Sequence, residues 1–321
     1  MIYTFKDLQD QVLNWLDEAD NTTTTRTNVK EALNQAHQER LMQYRWPHMI
    51  WDRAETITMV AAQRLYSLHQ EYNRPLYFRN QGTGEMLIET PRRNIDAENT
   101  DWDNDTDTNR FVLAGWQTVK AQPTSASVIT VVSDSASDNS STYNITVRGV
   151  DSNGAVVTNT ITPNGTTPVA GTQSFVKILS IVKTAATNGT LTFTSNSAAV
   201  TVLSLTASEY ARQYRQLELL YQPTAGDVIE YKFYRQPLKM TVDYDIPEIP
   251  APYSQVLVWD ALLMLMSYDG QLDEGRMATI SNQRGIWENA MLDGLGEGLT
   301  MNAEPRLIRE RVGYHRVQSP S

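Results

Sequence analysis

Four aspartates in one short segment are the densest group of potential metal ligands in the chain. They alternate as Asp101, Asp103, Asp105 and Asp107. Alternating carboxylates are typical of calcium loops, but an EF-hand loop beginning at Asp101 needs glycine at its sixth position and glutamate at its twelfth. This chain has Thr106 and Val112 there. The pattern favours a solvated acidic loop, with an adventitious cation site as the alternative.

The sequence contains no recognisable catalytic arrangement. It has no cysteine, which excludes thiolate zinc sites and cysteine nucleophiles. No serine lies in a Gly-x-Ser-x-Gly turn, and the glycines near residue 296 lack the lysine of a phosphate loop. The histidines are scattered without metal-ligand spacing, at His37, His48, His69 and His315. We therefore predict a protein without enzymatic activity, metal or cofactor, and an enzyme with an unrecognised site is the least favoured alternative.

Composition changes abruptly near Ala121 and changes back near Ser208. The 88 residues from one to the other contain only six charged side chains but 31 serines and threonines. Short β-branched runs alternate there with turn dipeptides such as Asn153-Gly154, a pattern typical of an antiparallel sandwich. We predict an inserted β-sandwich over residues 121–207. It is immunoglobulin-like only in a loose sense, because the cysteines and core tryptophan of antibody domains are missing.

The flanking segments are predicted to be mainly helical. A Thr-x-x-Asp cap precedes apolar residues at helical spacing in Thr4–Leu16. Three further helices are predicted, over residues 27–44, 253–268 and 273–292. Short β candidates before and after the insertion are expected to pair with each other. The predicted fold class is α+β, with a mainly helical core and a small β region interrupted by the sandwich.

The predicted domain organisation has three parts. A discontinuous core domain comprises residues 1–120 and 208–300, the sandwich comprises residues 121–207, and residues 301–321 form a C-terminal docking tail. The tail has no core pattern, and a frayed end is the alternative. Its predicted partner-binding residues are Arg306, Leu307, Ile308, Arg309, Arg311, Tyr314, His315 and Arg316.

Charge and hydropathy limit the partners. The chain has 27 Lys and Arg against 37 Asp and Glu, and its net charge of −10 disfavours binding to nucleic acid through phosphates. The longest apolar stretch, Val256–Met266, is too short for a membrane span and contains Asp260. The start of the chain lacks a signal-peptide pattern, so secretion is not expected. Arginines outnumber lysines 20 to 7, which favours buried or interfacial ion pairs, with codon usage as an equal alternative.

The flanking segments resemble the head-to-tail adaptor proteins, also called connector or neck proteins, of tailed bacteriophages. The resemblance covers most of residues 1–118 and 209–292, in the order of that family. It rests on residues 32–36 (ALNQA), 44–47 (YRWP), 62–68 (AQRLYSL), 217–223, 229–237 (IEYKFYRQP) and 246–253 (IPEIPAPY).

The resemblance implies a structural virion protein that forms a ring, usually of twelve subunits. The ring would join the portal to tail, nozzle or stopper proteins and line a channel through which DNA passes without specific binding. The C-terminal extension would reach the portal. The sandwich does not belong to the family pattern, and we expect it outside the ring because a folded domain of that size would block the channel. The protein would occupy the host cytoplasm before assembly and the neck of the virion afterwards. The alternative is a host-surface or glycan-binding adhesin that presents the sandwich.

Overall fold

The computed structural model describes residues 2–16, 23–61, 63–92, 109–195, 200–221, 223–269 and 274–295. These residues form two compact units, one within residues 1–50 and 234–321 and the other within residues 51–233. The helices are α1 (Phe5–Leu16), α2 (Thr23–Gln43), α3 (Gln255–Asp269) and α4 (Glu274–Leu295). The strands are β1 (Glu55–Thr58), β2 (Leu65–Ser67), β3 (Tyr72–Asn80), β4 (Ile88–Glu89), β5 (Arg110–Gln117), β6 (Ser127–Ser133), β7 (Ile145–Val150), β8 (Val156–Ile161), β9 (Val169–Phe175), β10 (Lys177–Lys183), β11 (Leu191–Ser195), β12 (Val200–Leu205), β13 (Tyr214–Leu219) and β14 (Val228–Arg235).

The helices of the first unit form where the sequence predicts them. The N-terminus of α1 is closed by the capping box: the Asp7 amide donates to Thr4 Oγ1 at 3.2 Å, and the Thr4 amide donates to Asp7 Oδ2 at 2.8 Å. Phe5, Leu8 and Val12 then lie on one buried face of α1. This face packs in one hydrophobic core with side chains of the other three helices, which confirms the four predicted helices.

The second unit begins with two small sheets built from strands on both sides of residues 121–207. One sheet has the order β1-β14-β3 and the other has the order β2-β13-β5-β4. β1 pairs with β14, and β5 pairs with β13, in antiparallel register. The predicted pairing across the middle segment is therefore confirmed. Their shared core is rich in stacked aromatic rings, including Phe78, Tyr231 and Phe233.

The middle of the chain forms two further sheets, which we call the two-sheet region (residues 127–205). A three-stranded sheet has the order β10-β7-β8, and a four-stranded sheet has the order β12-β11-β6-β9. Alternate residues of both sheets point into one core, with Val147 of β7 and Phe193 of β11 fully buried. The immunoglobulin-like character and the exact domain limits remain predictions.

The predicted fold class is wrong in one respect. The described residues form fourteen strands in four sheets and only four helices, so the described part of the protein is mostly β-sheet and lacks a mainly helical core. The flanking strands were underestimated because they do not alternate cleanly. In β3, for example, only Tyr72 and Phe78 are buried, six residues apart with Pro75 between them. Aromatic packing makes that segment a strand, and single-sequence periodicity does not detect this.

Candidate interaction sites

The two groups of residues singled out from the sequence lie outside the described residues. This applies to the tail residues 306–316 and to the aspartates between residues 101 and 107. Within the described ranges, no group of three or more His, Cys, Asp or Glu side chains is arranged to hold a metal ion. The sites below were therefore found from the structure.

An ion network connects three helices in the first unit. Arg40 of α2 contacts Asp260 of α3 through two nitrogens, Nε to Oδ2 at 2.5 Å and Nη2 to Oδ1 at 2.8 Å. Its third nitrogen donates to Glu288 of α4 at 2.5 Å, and Arg284 of α4 adds a second cation to Asp260 at 2.7 Å. The side chains of Arg40 and Asp260 are only 3% and 8% exposed. The network joins α2, α3 and α4 at one buried point.

The electrostatics of Arg40 follow from this arrangement. Burial by itself would lower the pKa of Arg40, because the charged form loses hydration. The hydrogen bonds to Asp260 and Glu288 act in the opposite direction and raise the pKa above its usual value. Arg40 is therefore permanently charged, and its partners must be present for its burial to be tolerated.

A cavity of about 280 Å³ opens beside the ion network. The cavity is also lined by Glu39 and Gln43 of α2 and by Leu263, Met264 and Ser267 of α3. Arg40 and Asp260, the buried charges in its wall, already pair with each other. The cavity therefore presents no unpaired buried charge that would select a ligand, and we interpret it as a packing gap between helices.

Two buried histidines lie near Arg235 in the same unit. Burial lowers the pKa of His37 to about 4, and repulsion from Arg235 and His48 acts in the same direction. Burial also lowers the pKa of His48. His37 Nε2 accepts the Glu248 amide at 3.1 Å, which requires the unprotonated nitrogen. Both imidazoles are therefore neutral at pH 7 and have a structural role.

An exposed loop of the first unit, residues 236–246, presents apolar side chains on a fixed backbone. We call it the apolar loop. Asn34 exchanges two hydrogen bonds with the backbone of Met240, and the Asp245 carbonyl accepts the Phe5 amide at 2.7 Å. The exposed side chains are Leu238 at 55%, Tyr244 at 77% and Ile246 at 59%. Rigid exposed apolar groups of this kind are typical of protein–protein contacts.

Sequence reasoning missed the ion network of Arg40 and Asp260 and also missed the apolar loop. Asp260 was visible as one charge within an apolar helix, and such a residue predicts a buried cationic partner. That partner could not be identified, because Arg40 is 220 positions away along the chain. The apolar loop gave no periodic signal. Exposure is a property of the tertiary structure.

No described helix has an apolar stretch long enough to cross a membrane. Comparison with known protein families confirms the resemblance to phage adaptor proteins found in the sequence. Residues 3–151, slightly less than half of the chain, match the family described as SU10 adaptor protein. The matched range contains α1, α2 and β1 to β7. It thus includes the first two strands of the two-sheet region and excludes residues 209–292. No match was found among curated proteins.

Proposed function

We propose that this protein is a head-to-tail adaptor that forms a ring between the portal and the tail of a phage virion. The observation that carries the proposal is the adaptor-family match over residues 3–151. This family is one of structural proteins, so a role in assembly without catalysis accords with the match. The ring, of twelve subunits by analogy with adaptors in general, would surround a channel for DNA.

The charge of the chain supports a channel function. At a net charge of −10, a ring would repel the phosphates of passing DNA and let the duplex slide. The apolar loop supports self-association, because its exposed tyrosine and isoleucine would be covered in a ring. The two-sheet region, proposed as an insertion, would decorate the outside of the ring.

We further propose that the C-terminal tail docks on the portal. Four arginines lie between residues 306 and 316, interleaved with Leu307, Ile308 and Tyr314. Guanidinium groups can pair with carboxylates of a neighbouring ring, while the apolar side chains anchor the segment. Ordering of the tail on its partner would explain its lack of a core pattern.

The proposal is tested by mixing the purified full-length protein with its portal. Mass photometry and negative-stain microscopy would measure mass and shape for each protein alone and for the mixture. We expect a closed ring on the portal. Failure to bind the portal over a range of salt concentrations would contradict the adaptor function and would favour an adhesin.

A second comparison tests the tail separately. Removal of residues 304–321 is expected to abolish portal binding. A full-length variant in which the four tail arginines become lysine is the matched control for charge. If the lysine variant also fails, planar guanidinium contacts are required. If the truncated protein binds as well as the full chain, the tail is not the docking element and the proposed site residues are wrong.

A further inference from the structure

The chain passes into and out of the two-sheet region through two short segments. The incoming segment (residues 118–122) follows β5, and the outgoing segment (residues 206–213) precedes β13. Because β5 and β13 are hydrogen-bonded neighbours, both segments leave the same sheet side by side. Two adjacent connections of this kind act either as a flexible tether or as a rigid base. The hydrogen bonds of the segments decide between these two alternatives.

The incoming segment is bound to β10, an edge strand of the three-stranded sheet. The Gln122 side chain accepts the Ile178 amide at 2.8 Å and donates to the Ile178 carbonyl at 3.0 Å. A primary amide has one acceptor and one donor group, so Gln122 binds this edge as a peptide group of another strand would. Thr118 Oγ1 donates to the neighbouring Leu179 carbonyl at 2.6 Å. The edge of β10 is thereby occupied.

The outgoing segment is bound to the other end of β10. Lys183, only 1% exposed, donates its ammonium group to the carbonyls of Thr206 and Ala207, each at 2.7 Å, and to Thr187 Oγ1 at 2.9 Å. The backbone amide of Lys183 also donates to the Tyr210 carbonyl at 2.9 Å. Three acceptors saturate the ammonium group, which makes its burial tolerable without a carboxylate in contact.

The hydrophobic core of the region continues into the connections. Val119, just after β5, and Tyr214, the first residue of β13, are both buried in the core of the two-sheet region. A flexible tether would leave such side chains in solvent. Here the residues that join the region to the adjacent sheet also belong to its core.

We propose that Gln122 and Lys183 are positioning residues that hold the two-sheet region at one fixed orientation on the sheet of β2, β13, β5 and β4. Strand β10 is the element to which both connecting segments are fastened. The region is then a rigid extension of that sheet, and any surface that it presents has a defined direction. This inference does not depend on the adaptor function, because it concerns only contacts within one compact unit.

The experiment measures distances between pairs of spin labels by pulsed electron paramagnetic resonance. The chain lacks cysteine, so introduced cysteines are the only attachment points. One pair, Ser152→Cys with Leu65→Cys, reports across the connection, because the first lies in the turn between β7 and β8 and the second in β2. A second pair, Ser152→Cys with Ser174→Cys, lies within the two-sheet region and reports on its internal structure. All three positions are exposed.

In the otherwise unchanged protein we expect a single narrow distance for both pairs. Gln122→Ala combined with Lys183→Met is expected to abolish the narrow distance across the connection and to leave the internal distance narrow. The matched controls are Gln173→Ala and Lys177→Met, which remove an exposed glutamine and an exposed lysine of the same region. Neither control should change either distance. Gln122→Ala alone tests the incoming segment if the double variant does not fold.

Three results would overturn the proposal. A broad distance across the connection in the unchanged protein would show that the region is tethered flexibly. A narrow distance that persists in the double variant and in Gln122→Ala would show that other contacts set the orientation. If both the internal distance and the distance across the connection broaden in the variants, Gln122 and Lys183 maintain the fold of the two-sheet region instead of its orientation.

Discussion

Arg40 is the residue whose loss should affect the first unit most. Arg40→Met would remove the cation that Asp260 and Glu288 share, and Asp260 would keep only the half-exposed Arg284. Removing one partner of a buried ion pair costs about 3–5 kcal/mol, because the remaining charge stays desolvated. We expect a decrease of that size in the free energy of unfolding, measured by urea denaturation.

The control for this prediction is an exposed ion pair. Arg92 contacts Glu218 at 2.7 Å with its side chain 55% exposed, and Arg92→Met should change stability by less than about 1 kcal/mol. The double variant Arg40→Met with Asp260→Leu removes both charges and should recover part of the lost stability. If Arg40→Met and Arg92→Met lower the free energy of unfolding equally, the ion network of Arg40 does not behave as a buried one.

His37 should make the protein sensitive to mildly acidic pH. An unfolded histidine has a pKa of about 6.5, whereas burial lowers the pKa of His37 to about 4. Protons therefore bind the unfolded chain first. The contribution of neutral His37 to the free energy of unfolding is fully present above pH 6.5. It is lost as the pH falls from 6.5 towards 4.

His37→Gln removes this titration and leaves a side-chain oxygen that can accept the Glu248 amide. Between pH 7 and pH 4, we expect the protein with His37 to lose about 3 kcal/mol of unfolding free energy relative to His37→Gln. Chemical denaturation at a series of pH values measures the difference, in which the effects of other titrating groups cancel. Parallel curves would show that His37 titrates normally in the folded state.

At the scale of elements, the close packing of β7 depends on one glycine. A Cβ added at Gly149 would lie 2.5 Å from both the Lys177 carbonyl oxygen and the Phe175 ring. Gly149→Ala should therefore force the sheet apart locally and cost about 1–3 kcal/mol. Gly115 of β5 has nothing within 4 Å of the same position, so Gly115→Ala should change stability by less than about 1 kcal/mol.

Thermal and urea unfolding of the two glycine variants check this prediction. A Gly149→Ala protein as stable as Gly115→Ala would indicate that Phe175 can move aside without loss. The need for glycine here was not predicted from the sequence. The turn glycine Gly154, with φ of +79°, was identified correctly because it follows asparagine in a familiar turn dipeptide. Gly149 is required by a neighbouring strand, and strand register is not encoded locally.

Helices were predicted better than strands for a related reason. α1 has its capping box and its apolar spacing within thirteen consecutive residues, 4 to 16, so local sequence determines it. β9 has no strand pattern of its own, because Ala170, Gly171 and Thr172 have low apolar content and only Phe175 is buried. Pairing with β6 makes this segment a strand, and that partner lies about forty residues earlier.

At the scale of the whole molecule, the net charge predicts weak interaction with DNA. With a charge of −10, the purified protein should bind duplex DNA with a dissociation constant weaker than about 10⁻⁴ M at physiological salt. Fluorescence anisotropy with a labelled duplex measures this, and a basic DNA-binding protein is the positive control. Micromolar binding that weakens steeply with salt would instead indicate a phosphate-binding surface and would argue against a channel in which DNA slides.

The sequence alone determined the local features of this protein: four helices, most strands of the two-sheet region, the absence of thiol chemistry and the adaptor resemblance. Each depends on residues close together in the chain or on composition. Only the tertiary structure revealed the predominance of β-sheet, the network of Arg40 and Asp260, and the attachment of β10 by Gln122 and Lys183. These depend on contacts between residues that are distant in sequence, where burial and register decide which polar groups meet.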